Sequence, residues 1–385
     1  MLSRRALLHA AAACGAYSML PALTLASAAT DPRLVVIVLR GGMDGLDVVQ
    51  PWGDPDFARL RPKTGQIAPA PGFAAGNYFG LHQSLSPLEP MFKSRQLSFI
   101  HAVSTPYRNR SHFEAQDVLE KGTGTLEAAE SGWVNRLIGL VGHNKIEFAA
   151  DIGTGSALLL KGPAEYLNLF PDSDVAFWKN STQFLRQLYR DDPQLRDSFA
   201  RIEIASNSEM QIDNLDPGVS VREIAGLAAK LLKGESRIAA YSLYGWDTHF
   251  AQGPKLKKSL DDLALSLLTL KDGLGAVWAN TAVVAVSEFG RTARFNGSGG
   301  SDHGTGGAAI LAGGLFANGQ GGKILATRWP GLAESNLYED RDLMPVDDVR
   351  RYLGWLLVSL FDLKPATVEA SIFPGLTLDA PLQLI

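Results

Sequence analysis

The chain has almost no cysteine: one, Cys14, in 385 residues. It lies in an N-terminal stretch that reads as an export signal, so the mature chain would carry no thiol, which excludes disulfides and thiolate metal sites. A surplus of positive charge is also missing. Thirty-six Lys and Arg against 40 Asp and Glu leave a formal net charge of -4. Nothing forecasts the phosphate-neutralising surface that nucleic acid requires, so no nucleic acid partner is expected. Internal repeats and blocks of like charge are absent as well. What is plentiful is apolar material, 46% hydrophobic against 20% charged, with a mean hydropathy near zero. That composition can bury one large core or two modest ones in a globular protein.

The N-terminus places Ser3-Arg4-Arg5-Ala6-Leu7-Leu8 before a moderately apolar stretch that ends in Ala26-Ser27-Ala28. Charged, apolar and small-residue regions in that order predict a twin-arginine signal over residues 1–28, removed in a periplasmic or secreted mature protein. The twin-arginine translocase is then a partner during export, and its cargo commonly folds, and often loads a cofactor, before crossing. Residues 6–29 are long enough to span a membrane, so an anchor is the alternative, although Pro21, His9 and many alanines weaken such a span. A lipoprotein site at Cys14 is weaker, because Ala11 stands three residues before it.

Past the signal, Leu34-Val35-Val36-Ile37-Val38-Leu39 is a continuous β-branched run that stops at Arg40-Gly41-Gly42, as a strand buried on both faces would. Similar runs predict strands over 97–103, 146–150, 238–243, 282–286 and 308–311. Helical periodicity predicts helices over 113–121, 131–141, 182–189, 221–233, 257–274 and 347–360. Strands alternating with helices give an α/β fold, a mostly parallel central sheet with helices on both faces. Ligands in such folds bind at the carboxyl ends of the strands.

Polar clusters occupy those ends: Asp44 in RGGMDGLD, Asp247 and His249 in GWDTH, Glu288 in SEFGRT, and Asp302 and His303 in SDHGTGG. A divalent ion takes carboxylate oxygen and imidazole nitrogen together, and a catalytic one keeps an open position for water or substrate. One or two ions are therefore expected, with zinc favoured over the more oxygen-loving manganese, magnesium or calcium. The alternative is a hydrogen-bonded polar rim with no ion. A fifth segment, Tyr107-Arg108-Asn109-Arg110-Ser111-His112-Phe113-Glu114, opens a helix after the strand at 97–103. Ser111 with Glu114 three residues on forms a capping-box pattern. Alternatively, Ser111 or His112 points into the site, where the helix N-terminus and Arg108 or Arg110 would favour an anion.

These segments, with YRNRSHFEAQD and DHGTGGAAILAGG, resemble the exported bacterial proteins of domain-of-unknown-function family 1501 across essentially the whole mature chain. That family is generally placed in the alkaline phosphatase and sulfatase superfamily. The resemblance implies an alkaline-phosphatase-like fold with two metal ions around a hydroxyl or modified-cysteine nucleophile. On it, Asp44 looks like the first-strand metal ligand, Ser111 falls at the nucleophile, and Asp247, His249 and His303 look like one metal site. The chain departs where the superfamily shows an Asp-His pair, having Ser287-Glu288-Phe289 instead, and its Asp-x-His spacing is shorter than the usual Asp-x-x-x-His. One imidazole ligand is thus missing. Glu288 would hold an ion with Asp44, or Asp302 would compensate. Arg291 would supply the positive group for a phosphate or sulfate oxygen, or else pair with a neighbouring carboxylate.

The remaining segments say less. Residues 51–87, rich in proline, glycine and aromatics, predict a long loop or cover over the strand ends. Residues 151–220 predict an insertion or cap, and 295–301 a flexible loop that carries His303 and could act as a gate. The function expected is hydrolysis of a phosphate or sulfate ester, small or polymer-linked, with catalytic Ser111, His112 and Arg291. The alternative is an exported binding or assembly protein that keeps the fold with a degenerate metal site.

Overall fold

A computed structural model describes residues 31–62, 71–142, 145–153, 158–169 and 220–385. The export signal, the expected helix over 182–189 and most of the expected cap lie outside the described residues. Among these, β1 (Arg33–Leu39) is the centre of the fold. It pairs in parallel with β8 (Ile238–Leu243) on one side and β9 (Thr281–Val286) on the other. Its side chains alternate: Val35, Ile37 and Leu39 enter one core cluster, Leu34, Val36 and Val38 the other. At roughly 1.5–3 kcal/mol for each fully buried aliphatic side chain, this strand needs apolar neighbours on both faces.

It has them. The helices Val221–Lys233 and Gln252–Leu274 cover one face, and Trp133–Val141 and Val349–Phe361 cover the other. Beyond β8 the sheet continues through β6 (Ala149–Ile152) and β7 (Leu167–Leu169); beyond β9 it continues through β10 (Gly307–Ala312) and β5 (Leu97–Ser104), with β11 (Ile324–Leu325) and β12 (Asp347–Asp348) against β5. Only β10 runs against its neighbours. Its beginning therefore lies at the same rim as the carboxyl ends of β1, β5, β8 and β9, which brings the residue groups around 44, 112, 247, 288 and 303 to one edge.

Three expectations are adjusted. Ile146–Phe148 is a 3-10 turn, and the strand starts at Ala149. The long helix starts at Gln252 rather than at 257, because Ala251 takes a left-handed backbone there. The segment 51–87 is not a structureless loop: β2 (Val49–Gln50), β3 (Pro71–Ala75) and β4 (Phe79–His82) form a small antiparallel sheet, and short helical turns flank it. No helix among the described residues is long and apolar enough to cross a membrane.

Candidate metal centre

Three side chains meet at the carboxyl rim. His112, Asp247 and His303 each present one possible ligand atom, all within 4.8 Å of one another. His249 joins them: its Nε2 lies 3.0 Å from Asp247 Oδ1 and 2.8 Å from His303 Nε2. Asp247 Oδ1 is thus approached by the Nε2 atoms of His249, His303 (3.4 Å) and His112 (3.6 Å). Asp247 and His249 follow β8, His303 precedes the reversed β10, and His112 is the first residue of the helix His112–Lys121 that follows β5.

Each imidazole is fixed from behind. His112 Nδ1 lies 2.8 Å from Glu288 Oε1, His249 Nδ1 lies 3.0 Å from Asp302 Oδ1, and His303 Nδ1 lies 2.9 Å from the Arg110 carbonyl. All three partners are acceptors, so each Nδ1 carries the proton and donates it. Each Nε2 is left as a lone pair aimed at the others. The His249 and His303 lone pairs face each other at 2.8 Å, and His112 Nε2 is buried with no hydrogen-bond partner. Lone pairs so placed repel unless a proton or cation sits among them. Histidines anchored through one nitrogen to a carboxylate or carbonyl, with the other nitrogen free and convergent, are what metal sites are made of. The donor set fits a divalent ion, and three imidazoles with one carboxylate suit zinc.

Electrostatics supports the arrangement. Burial works against the charge of Asp247, but the hydrogen bond and charge of Arg291, with His249 and His112 nearby, hold its carboxyl below the usual range. The hydrogen bond to Glu288 raises His112, while burial lowers His303. Asp247 and His249 keep 46% and 40% of their side-chain surface, so the centre is open to solvent. Phe289 forms an apolar wall, its ring 4.8 Å from that of His112 and 5.1 Å from that of His303.

The backbone permits this only with glycine at two close approaches. Gly41 has φ +124°, and a Cβ there would stand 2.4 Å from the Asp247 nitrogen; at Gly300 a Cβ would stand 2.2 Å from the His249 carbonyl carbon. The segment 295–301, expected to be a flexible gate, is closed by Asn296: its amide donates to the His249 carbonyl and to Asp302, and its Oδ1 accepts from the Ser298 and Gly300 amides.

Several residues expected as ligands or catalysts serve other ends. Glu288 does not face the cluster centre. Its Oε1 accepts from Gly41 N (2.9 Å) and Gln116 Nε2 (3.1 Å) besides His112, and Oε2 accepts from Ser287 Oγ (2.9 Å). Burial opposes its charge, but His112, Gln116 and Ser287 together keep the carboxyl below the usual range. Asp302 holds His249. Arg291 is wholly buried and ion-paired with Asp247 at 2.8 Å, as the pairing alternative has it, so it steadies a ligand instead of facing an incoming anion. His112, expected as a catalytic group, belongs to the ligand cluster.

Asp44 is the largest departure. Its carboxylate caps the turn Gly45–Val48 through the Leu46 and Asp47 amides and lies bidentate on the guanidinium of Arg61, at 2.8 and 3.1 Å. Asp47 Oδ1 takes a further Arg61 donor at 3.0 Å, and Gln252 Nε2 bridges both carboxylates at 2.7 and 2.6 Å. Burial opposes the charge of Asp44, yet Arg61 outweighs it and keeps this carboxyl low; burial and the neighbouring Asp44 push Asp47 up to about 7. The sequence reading missed Arg61, Asp47 and Gln252. The second aspartate of RGGMDGLD was the one visible signal. Ser111 is the N-cap of its helix without a side-chain cap bond, and Glu114 accepts from the Tyr107 hydroxyl at 2.5 Å, so the expected capping box does not form.

Residues 178–324 match the family model described as "Protein of unknown function (DUF1501)". The match contains Asp247, His249, Glu288, Arg291, Asp302 and His303. No curated protein matches the chain. Among solved structures, a magnesium-bound variant of the alkaline phosphatase from the Antarctic bacterium TAB5 shares 15% identity, over 74% of this chain and 92% of that one, at a TM-score of 0.37. The zinc complex of the C-terminal periplasmic domain of EcEptC from Escherichia coli shares 10% over 74% of each chain, also at 0.37. A protein in the alkaline phosphatase superfamily from Vibrio parahaemolyticus shares 12%, over 86% of this chain and 66% of that one, at 0.36. Likenesses of this size leave the chemistry to be argued from the side chains.

Proposed function

We propose that the chain is an exported, metal-dependent hydrolase acting on phosphate or sulfate esters, small or polymer-linked, in the periplasm or outside the cell. One observation carries this reading: three imidazole Nε2 atoms converge on Asp247 Oδ1, each ring fixed through Nδ1 on an acceptor. His112, Asp247, His249 and His303 would hold the ion, with zinc favoured. Bound there, it supplies Lewis acidity toward an ester oxygen. The protein's own groups do the rest. Glu288, Asp302 and the Arg110 carbonyl hold the ring orientations, and Arg291 steadies Asp247. Ser111, its hydroxyl unused as a helix cap and seated between Arg110 and His112, or a water in its stead, supplies the attacking oxygen. Phe113 and Phe250, exposed and each next in sequence to a ligand histidine, offer an apolar rim for the leaving group.

The test is metal content by elemental analysis of the exported protein, with turnover of aryl phosphate and aryl sulfate esters, in the wild type and in His249→Ala and His303→Ala. Stoichiometric metal with ester turnover, both lost in the two variants, is expected. A metal-free wild type sinks the reading. A metal-loaded but inert one turns it into the binding or assembly role, which the internal engagement of Asp44 and Arg291 would then explain.

A further inference from the structure

Resting on the metal reading above, we propose that each chain holds one divalent ion and not two, and that the guanidinium of Arg61 stands permanently in place of a second cation between Asp44 and Asp47. The resemblance to two-metal enzymes leads to the opposite expectation, with Asp44 as a ligand. The donor inventory decides between them.

Arg61 is 1% exposed and directs all five of its N–H groups onto protein acceptors. Nε donates to the Ala293 carbonyl at 2.8 Å. Nη1 donates to Asp44 Oδ2 and Asp47 Oδ1 at 2.8 and 3.0 Å. Nη2 donates to Asp44 Oδ1 and the Thr292 carbonyl at 3.1 and 2.8 Å. The carboxylates are as fully used. Asp44 Oδ1 accepts from the Leu46 and Asp47 amides as well as from Arg61, and its Oδ2 accepts from Arg61 and Gln252, with the Ser301 hydroxyl, which donates to Gln252 Oε1 at 2.5 Å, lying 3.3 Å away. No lone pair of Asp44 can reach an ion unless Arg61 leaves, and Arg61 cannot leave without stripping two backbone carbonyls and two buried carboxylates at once.

Of the other carboxylates at the rim, Glu288 accepts four donors, and Asp302 gives Oδ1 to His249 and Asn296, its side chain otherwise turned to solvent behind the His249 ring. Among the described residues, the set His112, Asp247, His249 and His303 is where ligand atoms face one another with nothing between. Arg61 also makes the single site possible. By binding the Thr292 and Ala293 carbonyls and, through Asp44, Ser301 and Gln252, it ties the start and end of the Arg291–His303 loop to the segment that carries His249. It is a positioning residue: its charge stands where a second ion's would, and its hydrogen bonds hold the ligand loops in register.

The experiment counts ions. The full chain is stripped with chelator and titrated with cobalt(II), followed by its visible absorption, and zinc bound after dialysis is measured by elemental analysis. The chains compared are wild type, Asp44→Asn and His303→Ala. The expected result is one ion per wild-type chain, one in Asp44→Asn, and none in His303→Ala. Saturation at two equivalents in the wild type overturns the proposal while leaving the metal reading intact. So does loss of the ion from an Asp44→Asn protein whose near-ultraviolet circular dichroism is that of the wild type. A wild type that binds no ion overturns both. Asp44 is buried, and should Asp44→Asn not fold, the wild-type titration decides alone, one equivalent supporting the proposal and two refuting it.

Discussion

At Glu288 four donors meet one carboxylate, and only one of them belongs to a proposed ligand. The value of the charge there lies in what it does to His112, whose ring it orients and whose basicity it raises. Glu288→Gln keeps an oxygen for His112 Nδ1 and the Gly41 amide, and lets the Ser287 hydroxyl turn round to accept. The expected outcome is an unchanged fold with metal affinity lower by about 10–100-fold, the usual effect of weakening such an outer partner. Competition with a chelator of known affinity measures it, and an unaltered affinity would remove Glu288 from the site. The sequence placed Glu288 and Asp302 at this rim as metal ligands; in the structure each carboxylate faces the Nδ1 of a histidine. Position after a strand tells which edge a carboxylate reaches, not which ring nitrogen it faces. His112 shows the converse: a residue in a helix-opening segment was legible as reaching the site, while its part as a ligand depended on where the helix points its first side chain.

Among the elements, the turn Phe57–Leu60 leads directly into Arg61, whose guanidinium neutralises the buried carboxylates of Asp44 and Asp47. Arg61→Ala leaves Asp44 and Asp47 facing each other across Gln252 with no cation between them. Breaking a buried ion pair in this way costs about 3–5 kcal/mol, to be read as the fall in unfolding free energy in urea. A loss below about 1 kcal/mol, the range of exposed pairs, would mean that water reaches the pair. Nothing local in the sequence marks Arg61, which sits in a Pro- and Gly-rich stretch with no periodicity, 17 positions from Asp44. The main strands were legible for the opposite reason. A strand buried on both faces must be apolar throughout, so Leu34–Leu39 announces itself, whereas Ile146 and Phe148 flank Glu147 in a 3-10 turn with no buried residue, and the strand begins only at Ala149.

Across the whole molecule, two buried histidines away from the metal cluster contribute to the response to acid, against the opposite contribution of Asp47, whose carboxyl burial pushes up to about 7. Burial pushes His82 and His101 from 6.5 to about 4. Both folded-state values lie below the unfolded one. Between about pH 6.5 and 4, therefore, the unfolded chain takes up protons at these two residues that the folded chain does not, and their contribution to stability is full above this window and falls as pH drops through it. Each histidine contributes about 1.4 kcal/mol per pH unit there. The His101 ring packs between Phe79 and Trp329, at 5.7 and 5.0 Å, so His101→Phe keeps the shape and should take one proton's worth from the acid slope, measured as melting temperature against pH. An unchanged slope would show that His101 titrates normally in the folded chain.

The left-handed Ala251 at the head of the helix Gln252–Leu274 carries a last consequence. No side chain caps that helix. Its opening amides instead donate to the Ser298 and Gly299 carbonyls, which belong to the loop that ends in His303. The longest helix among the described residues thus borrows its beginning from another part of the chain. Fraying of its first turn and departure of the histidine loop are one event, and whatever draws His249 and His303 together also closes the end of a 23-residue helix. The first turn of this covering helix and the polar rim therefore share the same two hydrogen bonds.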